Sequence, residues 1–327
     1  LHYPLRRQRQ MCIRDSMVGE RLEATERGLA EARGISLRAI DQRRVRILAT
    51  ETVSSAAGMS VRELETMELS VAKLRLYADA VYMHAGETYV VDVFDADESV
   101  VRVHREDVSY FTEPRDHVRL AILDRRGAGI APTGCGPGVL AFWGPMRASK
   151  SVYGYRKKAR ATGRLIEMGE IEQPLPPEEF ETVGLWLEPP SHFRRLLAAH
   201  GAGFARGGLH AVEHLLIALT PLVVACDRSD LACQCTRRRG DEHADRLILF
   251  ERRAGGAGII EQLLPRLGEL LAAALRRLSA CRCSAAGGCP GCIHLPRCGE
   301  YNEGLDRCAA DHILRWALGL HSEMDFE

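Results

Sequence analysis

Apolar positions along the chain change their period as it proceeds. From residue 35 onward they fall in short groups: Ile35, Leu37 and Ile40, then Val45, Ile47 and Leu48. The run from Val81 to Val91 places β-forming residues on both sides of Ala85-Gly86, a hairpin signal. Val100 to His104 and Val118 to Leu123 read as further strands, the glycine-rich stretch 134–138 as a turn, and Val139 to Trp143 as another strand. Several short strands at this spacing predict a small barrel or sandwich.

Beyond residue 170 the pattern lengthens. Pro174, Pro176, Pro177, Pro189 and Pro190 mark a connector with one strand around Val183 to Leu187. Gly207-Gly208 introduces a strongly apolar helix from His210 to about Ala218, and Pro221 interrupts the run. Arg246 to Glu251 is a candidate buried strand. The loop 254–258 then leads into a helical pattern from Ile259 to Leu278, which Pro265 should kink or split. Leu305 to Leu320 predicts a closing amphipathic helix. Near the start, Glu20 to Arg33 fits a short helix, and Arg7 to Ser16 resembles translated sequencing-adaptor sequence, so residues 1–16 are expected to be a non-native, disordered leader.

The fold class expected is α+β, a small β-rich, barrel-like domain followed by an α/β domain that Cys281, Cys283, Cys289 and Cys292 mark as zinc-binding. Its divisions are 1–16 leader, 17–34 helical remnant of a preceding domain, 35–170 β-rich domain with a basic hairpin, 171–205 connector and 206–327 zinc-binding domain.

Composition changes this picture little. Of 327 residues 46% are apolar and 27% charged, and the 44 basic and 44 acidic side chains cancel, so a nucleic-acid surface would have to come from local clustering. No apolar run has the length of a membrane span and no secretory signal is visible, so no membrane partner and a cytoplasmic location are expected. One cluster stands out. Arg156, Lys157, Lys158 and Arg160 lie with Tyr153 and Tyr155 in a stretch free of acids. Phosphates attract such cations and bases stack on tyrosines, so these six residues are candidate contacts for single-stranded DNA. A solvated basic hairpin is the alternative.

The most specific chemistry lies between Cys281 and Cys298, where five of eleven cysteines fall among glycines and prolines. Cys281-x-Cys283 and Cys289-x2-Cys292 supply two chelating pairs joined by a flexible loop. Four thiolates converging on one point are what a structural zinc ion requires. Cys298 is a reserve ligand and His294 a weaker one. Buried or disulfide-bonded cysteines are the alternative, and disulfides are disfavoured by the absence of any secretory signal. A second site built from Cys226, Cys233 and Cys235 is a further possibility of the same kind.

His210-x-x-Glu213-His214 matches the inverzincin pattern, which opens a reading as a zinc metallohydrolase. The surrounding helix is apolar on nearly every side, which favours burial over a substrate cleft. The expectation is a buried polar cluster of His210, Glu213, His214, Asp227 and Asp230, with the aspartates pairing the histidines.

Three motifs stand in a fixed order: Gly208-Leu209-His210-Ala211-Val212-Glu213-His214 with Cys226-Asp227-Arg228-Ser229-Asp230; Leu249-Phe250-Glu251 with the glycine loop through Gly258; and the cysteine cluster running on to Asp306. This order resembles the C-terminal region, including the four-cysteine zinc-binding domain, of DEAD/DEAH-box superfamily 2 DNA-repair helicases of the mitomycin repair factor A and fungal RecQ-like type. The hairpin from Ala80 to Asp92 and the segment Val152-Tyr153-Gly154-Tyr155-Arg156 are similar to the β-rich part of that family. The resemblance implies ATP-driven 3′-to-5′ unwinding in repair of damaged DNA, a structural zinc, and a helicase core as partner in the same full-length protein. The sequence itself has no Gly-x-x-x-x-Gly-Lys-Ser/Thr loop and no Asp-Glu-x-His/Asp box, so ATP and magnesium are expected only in motor domains outside it, and this chain alone is expected to be inactive. A stand-alone zinc-dependent interaction module remains a third reading.

Overall fold

The computed structural model describes residues 15–18, 21–29, 43–53, 58–130, 134–136, 139–189, 191–234, 246–296 and 298–320. The fold is α+β and β-rich: two curled sheets, a layer of helices on one of them, and the cysteine cluster near the C-terminal end. A small antiparallel pair, β1 (Asp15–Val18) and β2 (Arg21–Ala24), comes first. It overturns part of two expectations, since Asp15 and Ser16 pair with Ala24 and Glu23 instead of belonging to a disordered leader or a helix. Helical turns start only after Thr25, whose hydroxyl accepts from Gly28 N–H at 3.1 Å.

The first sheet is ordered β4 (Gly58–Glu68), β3 (Arg44–Val53), β7 (Val100–Arg105), β6 (Glu87–Asp95), β5 (Val81–His84). The expected hairpin is β5–β6. Its two turn residues, Ala85 and Gly86, both have positive φ, 49° and 84°, as the tight turn that matches strand twist requires. Along β3 burial alternates, with Val45, Ile47 and Ala49 inward between exposed Arg44 and Arg46. Helix α1 (Leu69–Arg75) closes this core with Leu69 and Ala72, and Leu76 and Tyr77 follow from the segment after it.

The second sheet is built on β10 (Ala141–Ala159), nineteen residues long. One edge pairs with β8 (Tyr110–Ile122) and with the short β9 (Arg126–Ile130); the other pairs first with β12 (Glu178–Leu187) and then with β11 (Leu165–Glu170). β14 (Leu247–Glu251) joins β12, and β13 (Leu231–Cys233) joins β14. The segment expected as a connector therefore carries β12, an interior strand of this sheet. Pro174, Pro176, Pro177 and Pro189 lie outside β12 at either end, where no ladder donor is lost, and Pro190 lies outside the described residues.

Strand β14 and the last four residues of β12, Gly184 to Leu187, are buried on both faces. Trp186, Ile248 and Phe250 face a core with Phe142 and Met146, while Leu185, Leu187, Leu247 and Leu249 face the helices. That explains why residues 247–250 are apolar without alternation. The helical layer comprises α2 (Ser191–Ala199), α3 (Ala202–Leu219), α4 (Ile259–Leu263), α5 (Leu267–Ala280) and α6 (Arg307–Ala317). Pro265 splits α4 from α5 through one tight turn, as its missing N–H dictates. Gly207-Gly208 does not introduce α3 but lies within it. A Cβ on Gly208 would come 2.5 Å from Ala309 Cβ, so the glycine lets α3 and α6 cross closely. Among the described residues no helix is long and apolar enough to cross a membrane.

Candidate metal centre

The loop after α5 turns sharply enough to gather the cysteines. Sγ of Cys281 lies 3.6 Å from Sγ of Cys289, Cys283 lies 3.8 Å from Cys292, and Cys289 lies 3.7 Å from Cys292. All four sulfurs are within 4.8 Å of one another. A tetrahedron with Zn–S bonds of about 2.3 Å has S···S edges of about 3.8 Å, so the four thiols already stand at zinc spacing. They are far beyond disulfide bonding distance, and all are free thiols.

Local backbone makes this possible. Cys292, Ile293 and His294 donate their N–H groups to the Cys289 carbonyl, closing the turn between Cys289 and Cys292, and Cys289 N–H points at Cys292 Sγ at 3.2 Å. Gly288 has φ 74°, and a Cβ there would come 2.2 Å from Ile293 Cγ1 and 3.1 Å from Cys292 Sγ. Arg307, the first residue of α6, fastens the other side: it donates to the carbonyls of Cys283 at 2.6 Å, Cys281 at 2.8 Å and Leu278 at 3.1 Å. The thiols are not equivalent. Burial pushes Cys292 up to about 12, whereas hydrogen bonds to the Cys283 backbone and to the neighbouring thiols lower Cys281 to about 7. Two expected alternates are absent from the set. His294 Nε2 faces the Gly287 carbonyl at 3.2 Å, and Cys298 turns away altogether.

Cys298 meets the histidines. Its Sγ is 3.5 Å from His210 Nε2, and the His210 and His214 rings, one helical turn apart on α3, stand edge to face at 4.3 Å between centroids. Glu213 faces elsewhere. β13 ends with Cys233 opposite Leu249, so the Ile248 N–H lies beyond its end and donates to Glu213 Oε1 at 2.8 Å. A buried carboxylate held by a strand amide is poorly placed to serve a hydrolase as general base.

The expected pairing of Asp227 and Asp230 with the histidines is replaced by a different arrangement. Asp227 caps a short turn by accepting from Ser229 N–H, and Asp230 accepts from Asp227 N–H. The five residues thus fall in three places: His210 and His214 beside Cys298, Glu213 on the Ile248 amide, and Asp227 and Asp230 in their own turn. The glycine loop 255–258 has its own occupant, because Glu251 Oε1 accepts from Ile259 and Ile260 N–H at 2.9 Å each and Oε2 from Ala257 N–H. A nest that resembles a phosphate cradle in sequence thus holds a carboxylate of the same chain. Cys235 and Arg237 to Arg239 lie outside the described residues.

The basic stretch sits on β10 and is matched by acids from other segments. Lys158 pairs with Glu113 at 2.6 Å, Lys157 with Glu167 at 3.6 Å and Arg156 with Glu303 at 3.3 Å, and Arg160 donates to Thr88 Oγ1 at 3.1 Å. Arg156 also lies 3.2 Å above the Tyr301 ring, and Tyr301 O–H donates to the Pro114 carbonyl at 3.1 Å. Tyr155 corrects the sequence reading most directly. It is buried and stacked on Tyr77 at 5.7 Å, a core ring and not a platform for bases. Tyr153 stands between His117 and Arg115.

Fold and site together define a helix-covered β-sheet protein with a four-cysteine zinc-binding domain. The sequence profile of the MrfA Zn-binding domain matches residues 212–293, which hold α3 from its middle onward and all four clustered cysteines. A protein from Methanocaldococcus jannaschii, the uncharacterized MJ1572.1, is 34% identical over 113 residues, 34% of this chain and 99% of that one. The chain belongs to the family of the MrfA zinc-binding domain and is related to the C-terminal region of helicases that carry it. The ATP-dependent helicase HRQ1 of Saccharomyces cerevisiae is 25% identical over 273 residues, and the uncharacterized ATP-dependent helicase YprA of Bacillus subtilis 26% over 262. Each similarity covers 80% of this chain, but the chain spans only 24% and 33% of those relatives. The crystal structure of the DUF1998 helicase MrfA bound to DNA shares the fold, with TM-score 0.53 and 23% identity over 96% of this chain and 39% of that one.

Proposed function

We propose that this chain is the C-terminal accessory region of an ATP-dependent DNA-repair helicase of the cytoplasm. Zinc would be held by Cys281, Cys283, Cys289 and Cys292 and would fix the knuckle they form; ATP and magnesium would be held by motor domains elsewhere in the full-length protein. The observation that carries this reading is similarity to two named ATP-dependent helicases over four-fifths of the chain, joined to a sequence with no phosphate loop.

The accessory role would be to brace the motor domains, and a rigid chain suits it. Arg156, held between the Tyr301 ring and Glu303, ties the long strand β10 to the segment that follows the cysteines. Contact with single-stranded DNA would use Tyr153, Lys157, Lys158 and Arg160. Phosphates would have to displace Glu113 and Glu167 from the lysines, so binding should be weak and strongly salt-sensitive.

Fluorescence anisotropy with labelled single-stranded DNA tests this. The Lys157→Gln/Lys158→Gln/Arg160→Gln variant should bind more weakly, and its slope of log K against log salt should flatten by about 2, from about 0.7 per phosphate contact. An unchanged slope and affinity would move the DNA surface elsewhere. The purified chain should hydrolyse no ATP with or without DNA, and a DNA-stimulated rate that survives repurification would overturn the accessory reading.

A further inference from the structure

We propose that His210, His214 and Cys298 form a second metal site, separate from the four-cysteine centre and specific for a zinc-like divalent cation. The three side chains offer two imidazole nitrogens and one sulfur, all within 4.8 Å of one another, and their exposures are 4%, 0% and 6%. The spacing is that of a coordination sphere. A tetrahedral ion with Zn–N of about 2.05 Å and Zn–S of about 2.3 Å holds N and S about 3.6 Å apart. Cys298 Sγ and His210 Nε2 are separated by 3.5 Å.

The surroundings also suit a ligand set. His214 Nδ1 lies 3.0 Å from the Ile293 carbonyl, which fixes Nδ1 as the protonated nitrogen and Nε2 as the one carrying the lone pair. A backbone carbonyl behind the ring is the usual outer support of a metal-bound histidine. His210 and His214 are four apart on α3, so they share one face of the helix. Cys298 is brought to them by the loop after the cysteine knuckle, which Asn302 holds through both backbone groups of Leu295 at 2.8 and 2.9 Å. Two nitrogens and a thiolate favour zinc over magnesium or calcium, which take oxygen ligands.

An entry path exists on the sulfur side. A cleft of about 360 Å³ is lined by Cys298, Ile217 and Leu295 together with the charged Asp116, Asp227 and Arg228. It gives the ion a route in, and a water molecule from it would complete the fourth position. Binding displaces the Cys298 thiol proton to solvent, and the imidazoles bind through their neutral nitrogens. The consequence is mechanical. Cys289 and Cys292 anchor the start of the knuckle loop to the first centre, and Cys298 would anchor its end to α3, so two ions would staple one loop to the core at both ends.

The test is zinc content together with zinc-edge X-ray absorption on the full chain, purified reduced from zinc-supplemented cells. The expected result is two zinc ions per chain and a first shell containing nitrogen as well as sulfur. Cys298→Ser and His214→Gln should each hold one ion in an all-sulfur shell. One ion per chain with only sulfur neighbours in the parent would overturn the proposal and leave a thiol–imidazole hydrogen bond. That result needs no variant to fold. Two ions retained in Cys298→Ser would overturn it equally, since the second ion would then be bound elsewhere.

Discussion

Replacing Arg307 by methionine isolates the support of the cysteine knuckle without touching a sulfur ligand. The guanidinium donates to the carbonyls of Leu278, Cys281 and Cys283 at 3.1, 2.8 and 2.6 Å, and it lies 3.9 Å from Cys283 Sγ. Methionine keeps the aliphatic stem and removes all three bonds. A charge-assisted hydrogen bond contributes roughly 1.5–3 kcal/mol where the acceptor is left dry. Cys281 and Cys283 are only half-buried, so water can replace part of their bonds, and about 1 kcal/mol per bond, or about 3 kcal/mol together, is the expected loss. Trp316, in α6 and stacked on Phe193 at 4.9 Å, reports on that helix by fluorescence. With a urea dependence of roughly 3 kcal/mol per molar, the Trp316 transition should fall by about 1 M. Four thiolates around one divalent ion carry net negative charge, so chelator-driven zinc release should also quicken in the variant. An unchanged transition together with an unchanged release rate would refute the support role given to Arg307.

Two further outcomes follow from the geometry. Cys289→Ser or Cys292→Ser should lose the metal of the four-cysteine centre and unfold the C-terminal third, because binding energy of roughly 10–16 kcal/mol at such centres is folding energy; full zinc occupancy of that centre in either purified variant would remove the ligand assignment. His104 predicts a pH dependence. Burial alone would lower its pKa, but hydrogen bonds to Glu106 and Asp92, at 3.1 and 2.6 Å, outweigh that and raise it above 6.5. The resulting stabilisation is complete below about pH 6.5 and is lost as pH rises through the folded-state value. His104→Gln should therefore be less stable than the parent in mild acid, with the gap closing in mild alkali; denaturation midpoints from about pH 5.5 to about 8.5 measure it, and a pH-independent gap would contradict it.

Features legible in the sequence are those whose partners lie a few residues away. Pro265 splits the helical run it falls inside, because the missing N–H and the ring clash are local. The β5–β6 turn and the apolar run of β14 announce themselves in the same way. Cys281, Cys283, Cys289 and Cys292 converge because two short chelating pairs are joined by a turn that only glycine permits at position 288.

Tertiary structure alone decided what lies across the fold. Lys157 and Lys158 read as an unopposed basic run because Glu167 and Glu113 reach them from other strands, and register between strands is not written in either one. Tyr155 looked like a stacking platform until Tyr77 covered it. Glu251 fills the glycine loop, and Glu213 takes an amide that a short neighbouring strand leaves over. Cys298 shows the difference most sharply. Its sequence neighbours are the other cysteines, and by spacing it belongs with them. The close crossing of α3 and α6 and the path of the loop instead bring it to His210, 88 residues earlier in the chain. Chelation within a turn is fixed by local backbone geometry, whereas a contact over that separation exists only once the core has packed.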